Sequence, residues 1–524
     1  MNIRFKIVAA LGASLLGLAA PAHAEWQVAT TKHFTVYSDD TPAAVRAYTE
    51  KLEKFDQAVR VLRGIKDPPV QDWARPRIYV VKDADTLHRM MGEGSQNIGG
   101  FYSGRVTGPV SFMFREGPSS DFLRAVLFHE YTHHIMLTGW TGALFPIWFT
   151  EGFAEFHATP IFQADGSVVF GATPTYRRFS INTANLMPVE RVMSLNPDHR
   201  GSGQEGGAFY ARSWLLMDYL TFDEERRKDL AAYIGAINSG QSFADAAKIF
   251  KPGTLTDIKL DGWAKRPRLP SAVVPASKLG EVQVTMRVAT PAEAAALPAV
   301  IHSTIGVSKK TAPAAAAKAR AAAAAFPDDP YVQNELAEAE YDVENYEASI
   351  AAAEKAVAGD AKSVHALVYR GMARTALLKK AKVTDAAQWT AARRDFLAAN
   401  KIEAENPWPL YQYYESFGDA GQAPTGNAEN ALLYAQALAP FDNRLRLPAT
   451  KILLRQGKAA EAKAMIGPVA YGIDDDGNGK DYAYLKNAVA AMDAGDSAGA
   501  IKIISEGEAA IKKKADDEKA KAKS

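Results

Sequence analysis

Residues 122–139 read FLRAVLFHEYTHHIMLTG, and the rest of the chain is best read outward from them. His129 and His133 stand four positions apart, so on a helix they project from one face, one turn apart. Both imidazoles can then reach a single Zn²⁺. Glu130, beside the first of them, is placed to act as general base toward a water that the metal has acidified. Leu123, Val126, Leu127, Phe128, Ile135 and Met136 make the helix apolar on nearly every side, which argues for burial. The bland alternative is a core helix with two hydrogen-bonded histidines and an exposed glutamate. Burying those groups without partners costs several kcal/mol, and a bound metal is the economical way to avoid that cost.

Catalytic zinc takes three protein ligands and leaves a fourth position to water. Glu151 follows His133 by 18 residues, within PIWFTEGFAEF at 146–156. The paired segments HEYTH and WFTEGFAEF resemble the gluzincin branch of zinc metallopeptidases, the clan of thermolysin-like and aminopeptidase N-type enzymes. In that clan the third ligand is a glutamate on a following helix, often in a W-x-x-E-G-x-A sequence. The resemblance covers residues 26–265, with specific motifs only in 129–157.

The resemblance implies that His129, His133 and Glu151 bind one catalytic Zn²⁺ and that Glu130 is the base. It also implies that Glu155, one turn beyond Glu151, hydrogen-bonds a ligand histidine and fixes its tautomer; the alternative for Glu155 is a solvated surface position. His134 is turned about 100° from His133, and His157 is out of phase with Glu151, so both are expected to be bystanders. Related gluzincins aim a tyrosine or histidine from a later helix at the developing oxyanion. Tyr210, 59 residues after Glu151 at the start of an apolar helix, stands in such a place, with an ordinary rim tyrosine as the alternative. Tyr131 points off the motif face and Tyr219 lies too deep. Substrate backbone in this clan pairs with an edge strand above the motif helix, for which Tyr102–Phe114 is the candidate. The motif by which aminopeptidases grip a free N-terminus is not visible there, which favours an endopeptidase.

Around this centre the patterning gives strands over Gln27–Tyr37, Arg77–Val81 and Val110–Phe114, and helices over Pro42–Arg63 and Ala84–Met91. Pro118–Asp121 supplies helix-start residues for the motif helix. Further helices are expected to contain Thr150–His157 and Ala208–Tyr219. Strands mixed with helices, then helices alone, make an α+β lobe followed by a helical one. From Leu269 to about Pro313 the composition shifts to Pro, Ala, Ser and Val, with one candidate strand at Glu281–Val288. Beyond it the chain is Ala-rich and helical. Ala337 and Gly371 lie 34 residues apart in similar settings, and that period, with Tyr346, Ala356 and the boundary Pro327–Pro330, resembles tetratricopeptide repeats. Another helix pair is expected in Ala428–Ile466, with Pro424–Asn427 breaking the register.

A net charge of +1 and 23% charged residues give no reason to expect nucleic acid. The absence of cysteine excludes disulfides, thiolate catalysis and Cys-based zinc sites. At the N-terminus, Arg4 and Lys6 precede an apolar run from Ile7 to Ala20 and then Ala22-His23-Ala24, the pattern of a secretory signal peptide cleaved after Ala24. An uncleaved anchor is the alternative, but the run is shorter than the ~20 residues of a spanning helix.

The expected organisation is a signal peptide (1–24), an α+β zincin-like metallopeptidase domain (25–268), a linker or packing segment (269–313), an all-α tetratricopeptide-like helical-repeat domain (314–505) and a charged, fraying tail (506–524). The expected function is periplasmic or secreted zinc peptidase action on a peptide or protein substrate. The repeats would dock substrate or a protein partner, with no membrane span after signal cleavage. Two alternatives stand beside it: a helical-repeat scaffold with a vestigial peptidase domain, and zinc hydrolysis of something other than peptides.

Overall fold

The computed structural model describes residues 25–91, 101–115, 120–182, 187–194, 204–471 and 484–521, so the expected signal segment 1–24 lies outside the described residues. The strands are β1 (Gln27–Thr30), β2 (Thr35–Ser38), β3 (Arg77–Val81), β4 (Phe101–Ser103), β5 (Val110–Phe114), β6 (Ile161–Phe162), β7 (Val168–Phe170), β8 (Ala272–Val274) and β9 (Thr285–Val288). The helices around them are α1 (Pro42–Arg63), α2 (Ala84–Met91), α3 (Ser120–Gly139), α4 (Ile147–His157), α5 (Arg178–Asn182), α6 (Val189–Ser194), α7 (Gln204–Phe222) and α8 (Glu224–Asn238).

Local chemistry sets these limits. α1 starts where the Thr41 hydroxyl accepts from the Ala44 N–H with Pro42 behind it, and stops at Gly64, whose φ of 64° is open to glycine at little cost. Its bounds, and those of α2, β3 and β5, are those the sequence predicts.

The main sheet runs β4-β5-β3-β2-β1-β9. β2, β3 and β5 are parallel; β4, β1 and β9 pair antiparallel. Strand alternation sends Val36, Ile78 and Val80 to one face, where they join Phe55 of α1 and Phe128 and Tyr131 of α3 in one core. Tyr79 and Phe112 take the other face with Val28 and Val81. The Tyr79 ring stacks at 5.1 Å on both Tyr37 and Phe112. This second face is covered by the helices Pro291–Ile305 and Pro330–Asp342, through Leu297, Val300, Ile301 and Val332. The sheet is therefore the middle of three layers, and one of its covers belongs to the helical array.

That cover changes the expected organisation. Residues 269–313 hold two strands and a helix: β8 completes a small sheet with β7 and β6, and β9 closes the edge of the main sheet against β1. The array begins at Pro291–Ile305, paired with Ala312–Ala325, rather than at 314. Pairs follow at Pro330–Asp342 with Tyr346–Gly359, Val364–Lys380 with Ala386–Ile402, Pro407–Asp419 with Gly426–Leu438, Arg446–Arg455 with Ala459–Tyr471, and Tyr484–Asp493 with Ser497–Lys521. The stretch Pro424–Asn427 is thus the end of the turn inside one pair and the start of that pair's second helix, and Ala428–Ile466 straddles two. The charged tail is helical through Lys521. Its alternating Lys and Asp/Glu suit a solvated helix as well as a frayed one, so composition alone does not separate them. Among the described residues, no helix is long and apolar enough to cross a membrane.

Candidate metal centre

α3 is buried against the sheet, with Phe128 packed on Phe55 at 4.3 Å and the Tyr131 hydroxyl donating to Asp56 at 2.8 Å. The histidine face of the helix looks the other way, toward α4. There the Nε2 atoms of His129 and His133 are 3.1 Å apart, and Glu151 Oε2 lies 3.1 Å from the first and 3.5 Å from the second. All three side chains are buried. The edges of a zinc tetrahedron built from Zn–N and Zn–O bonds of ~2.0–2.1 Å are ~3.3 Å. Two imidazoles and a carboxylate meeting tip to tip at that spacing suit zinc in both geometry and donor chemistry.

The three side chains also act on one another electrostatically. Burial works against a charged His129. The hydrogen bond to Glu151 and the charges of Glu155, Glu130 and Glu151 outweigh it and raise this imidazole to about 9. The two histidines answer burial's opposite pull on Glu151 and hold its carboxyl well below the usual range. Glu130 is half-buried beside them.

Glu155 backs the trio. It is 1% exposed, so the solvated alternative is excluded, and its Oε1 lies 3.5 Å from His129 Nδ1. The same carboxylate accepts from Arg177 Nη2 at 2.7 Å and from the Tyr176 hydroxyl at 3.0 Å. Neither partner was singled out from the sequence; both sit in a single 3₁₀ turn, Thr175–Arg177. His133 Nδ1 is buried without a hydrogen-bond partner among the described residues.

Tyr210 is brought to the site. Its ring lies 6.0 Å from that of His129, and the Arg177 guanidinium stacks over it at 4.7 Å. What brings α7 this close is Gly152, the residue after Glu151: a Cβ there would come within 2.4 Å of the Ser213 carbonyl oxygen. His134 and His157 stay outside. His134 takes the Tyr102 hydroxyl at 2.6 Å, and His157 donates from Nδ1 to the Phe153 carbonyl at 2.7 Å. Within the candidate substrate segment, β4 is the sheet edge and β5 is interior. The Tyr102 bond ties that edge strand to the motif helix. A second trio, His33, Asp56 and Asp67, also converges. There Asp56 is already held by Arg60 at 2.7 Å and by Tyr131, and His33 by Glu53 at 2.7 Å, so it is an ion-pair network.

No protein-family model matches the chain, and no curated protein matches it. Among solved structures, it is similar to a thermophilic TPR protein of Thermus thermophilus, with 17% identity over 38% of this chain and 98% of that one and a TM-score of 0.30.

Proposed function

We propose that this chain is an exported zinc-dependent metallopeptidase of gluzincin type that cleaves peptide bonds internally. The observation that carries this reading is the meeting of the buried side chains of His129, His133 and Glu151 at 3.1–3.5 Å with Glu130 beside them. Zinc held by those three residues would polarise the scissile carbonyl and bring a water within reach of deprotonation near pH ~7. Glu130 takes the proton from the attacking water as the new C–O bond forms, and returns it to the amine nitrogen as the C–N bond breaks. The Tyr210 hydroxyl donates to the developing oxyanion. Glu155 holds the Nδ1 proton of His129, and Arg177 and Tyr176 hold Glu155 in turn. Substrate backbone adds to β4, and the tetratricopeptide-like repeats dock the remainder of a protein substrate or a partner.

The second reading is a helical-repeat binding protein whose N-terminal lobe is catalytically silent. The run of helix pairs from Pro291 to Lys521 is the observation behind this second reading. An intact Glu130 favours the first, since holding a metal for structure does not require it. Metal analysis of the purified protein separates them together with Glu130→Gln. The peptidase reading expects about one zinc per chain, lost in His133→Ala. It also expects cleavage of a peptide library that Glu130→Gln abolishes while keeping zinc and fold. A wild type that holds no metal, or that cleaves as well without Glu130, overturns it.

A further inference from the structure

α4 carries Glu151 and Glu155 on one face, and Phe149 and Phe153, one turn apart, on the opposite one. That opposite face does not close against its neighbours. It walls a cavity of about 420 Å³ between the end of α1, the turn after α3, α7 and α8. Phe149, Phe153, Met217 and Ile234 give it apolar walls, and Arg63 and Arg227 add two cations.

Arg63 is at odds with its surroundings. Three residues earlier, Arg60 meets Asp56 at 2.7 Å, as a buried arginine ordinarily does. Arg63 has no carboxylate partner among the described residues, and burial alone pulls it down to about 10. Its guanidinium lies over the rings of Phe153 and Phe156 at 4.8 and 5.1 Å. Its Nε donates to His157 Nε2 at 3.1 Å, and its Nη2 is buried with no hydrogen-bond partner among the described residues. His157, whose Nδ1 proton goes to the Phe153 carbonyl, offers a lone pair and no charge. Arg227, exposed on α8, is likewise without an ion pair among the described residues.

A cation in apolar walls is a desolvation cost that a neutral ring offsets only in part and an anion offsets well. A small inorganic anion would leave the walls unfilled, and an uncharged lipid would leave the guanidinium unpaired. The volume falls in the ~300–1,000 Å³ range of small-molecule sites. We propose that this cavity binds a long-chain carboxylate, its head on Arg63 with Arg227 at the mouth and its tail along Phe149, Phe153 and Ile234. The site is independent of the His129–His133–Glu151 trio, whose Glu151 projects from the other face of α4, and does not rest on the peptidase reading.

Calorimetric titration of the full chain with dodecanoate, and with 1-dodecanol as the same tail without the charge, tests the proposal. Dodecanoate is expected to bind with the higher affinity. Arg63→Met keeps the bulk of the side chain and removes the charge, so it is expected to weaken dodecanoate by roughly tenfold or more and leave dodecanol unchanged. Its thermal melt without ligand should lie close to that of wild type, because loss of the bond to His157 is offset by removal of a buried charge that has no counter-ion among the described residues. Ala231→Trp, from an exposed lining position on α8, is expected to fill the cavity and remove both ligands. No binding to wild type, equal affinity for the two ligands, wild-type binding by Arg63→Met, or preference for the C-terminus of an apolar peptide over dodecanoate would each overturn the assignment.

Discussion

Glu155 stands directly behind His129, with one carboxylate oxygen 3.5 Å from His129 Nδ1 and 2.7 Å from Arg177 Nη2. The carboxylate is thus shared between His129 and the arginine that offsets its own burial. Glu155→Gln keeps the shape and removes the charge, and is expected to lower zinc affinity roughly 10–100-fold, read by chelator competition. Arg177→Met leaves a buried carboxylate short of its cation. Because Arg177 is 22% exposed, the expected loss of unfolding free energy is about 2 kcal/mol, below the ~3–5 kcal/mol of a fully buried pair. Unchanged zinc affinity in Glu155→Gln would remove Glu155 from the site.

Gly152→Ala tests how α4 and α7 approach each other. The added methyl meets the Ser213 backbone oxygen at 2.4 Å, and backbone cannot rotate aside as a side chain can. The helices must separate, at an expected cost of about 1–3 kcal/mol in urea denaturation. Tyr210 rides on α7 while His129, His133 and Glu151 do not, so zinc content should hold while kcat falls. Equal loss of zinc and kcat would mean that the trio itself had been disturbed.

The His33–Glu53 pair gives the lobe a defined pH response. Burial opposes the charge on both. For His33, Glu53 and Asp56 win and raise it above 6.5, so its contribution is complete below that value and fades as pH climbs through the raised one. For Glu53, the hydrogen bond and charge of His33 win and lower it below 4.5, so its contribution is complete above that value and fades as pH falls through the lowered one. The stability difference between wild type and His33→Gln should therefore peak between 4.5 and 6.5 and shrink on either side. A difference that stays flat from acid to alkaline pH would show that the pair is not ionised in the folded chain.

Signals that are local in sequence were legible. α1 announces itself by Thr41, Pro42 and Gly64, β3 and β5 by their β-branched and aromatic runs, and the convergence of His129, His133 and Glu151 by one helical turn plus a second motif within reach. What was not legible depends on distant partners. β9 reads as a short exposed strand in a Pro- and Ala-rich stretch until Thr30 is found beside Thr285. Tyr176 and Arg177 occupy a three-residue turn with no periodicity to mark them. The burial of Glu155, which separates an orienting carboxylate from a surface one, comes from those two residues and cannot be read from spacing.

Phe441 and Asp442, in the turn after Gly426–Leu438, reach the N-terminal lobe from the repeats. Phe441 packs on the His134 ring at 5.0 Å and against Gly104, and Asp442 accepts from the Val106 N–H at 2.7 Å. Together they clamp the β4–β5 hairpin, which is also held by the Tyr102–His134 bond at 2.6 Å and by Arg105, whose guanidinium donates to the Thr304 and Ile305 carbonyls. Phe441→Ala empties a buried aromatic site and is expected to lower stability by about 3 kcal/mol. The trio on α3 and α4 is untouched, so zinc content should stay at the wild-type level. The hairpin should exchange its amide hydrogens faster, and if β4 receives the substrate, KM for peptides should rise while kcat changes less. Faster exchange with an unaltered KM would detach β4 from substrate binding, and unaltered exchange would show that Phe441 does not hold the hairpin.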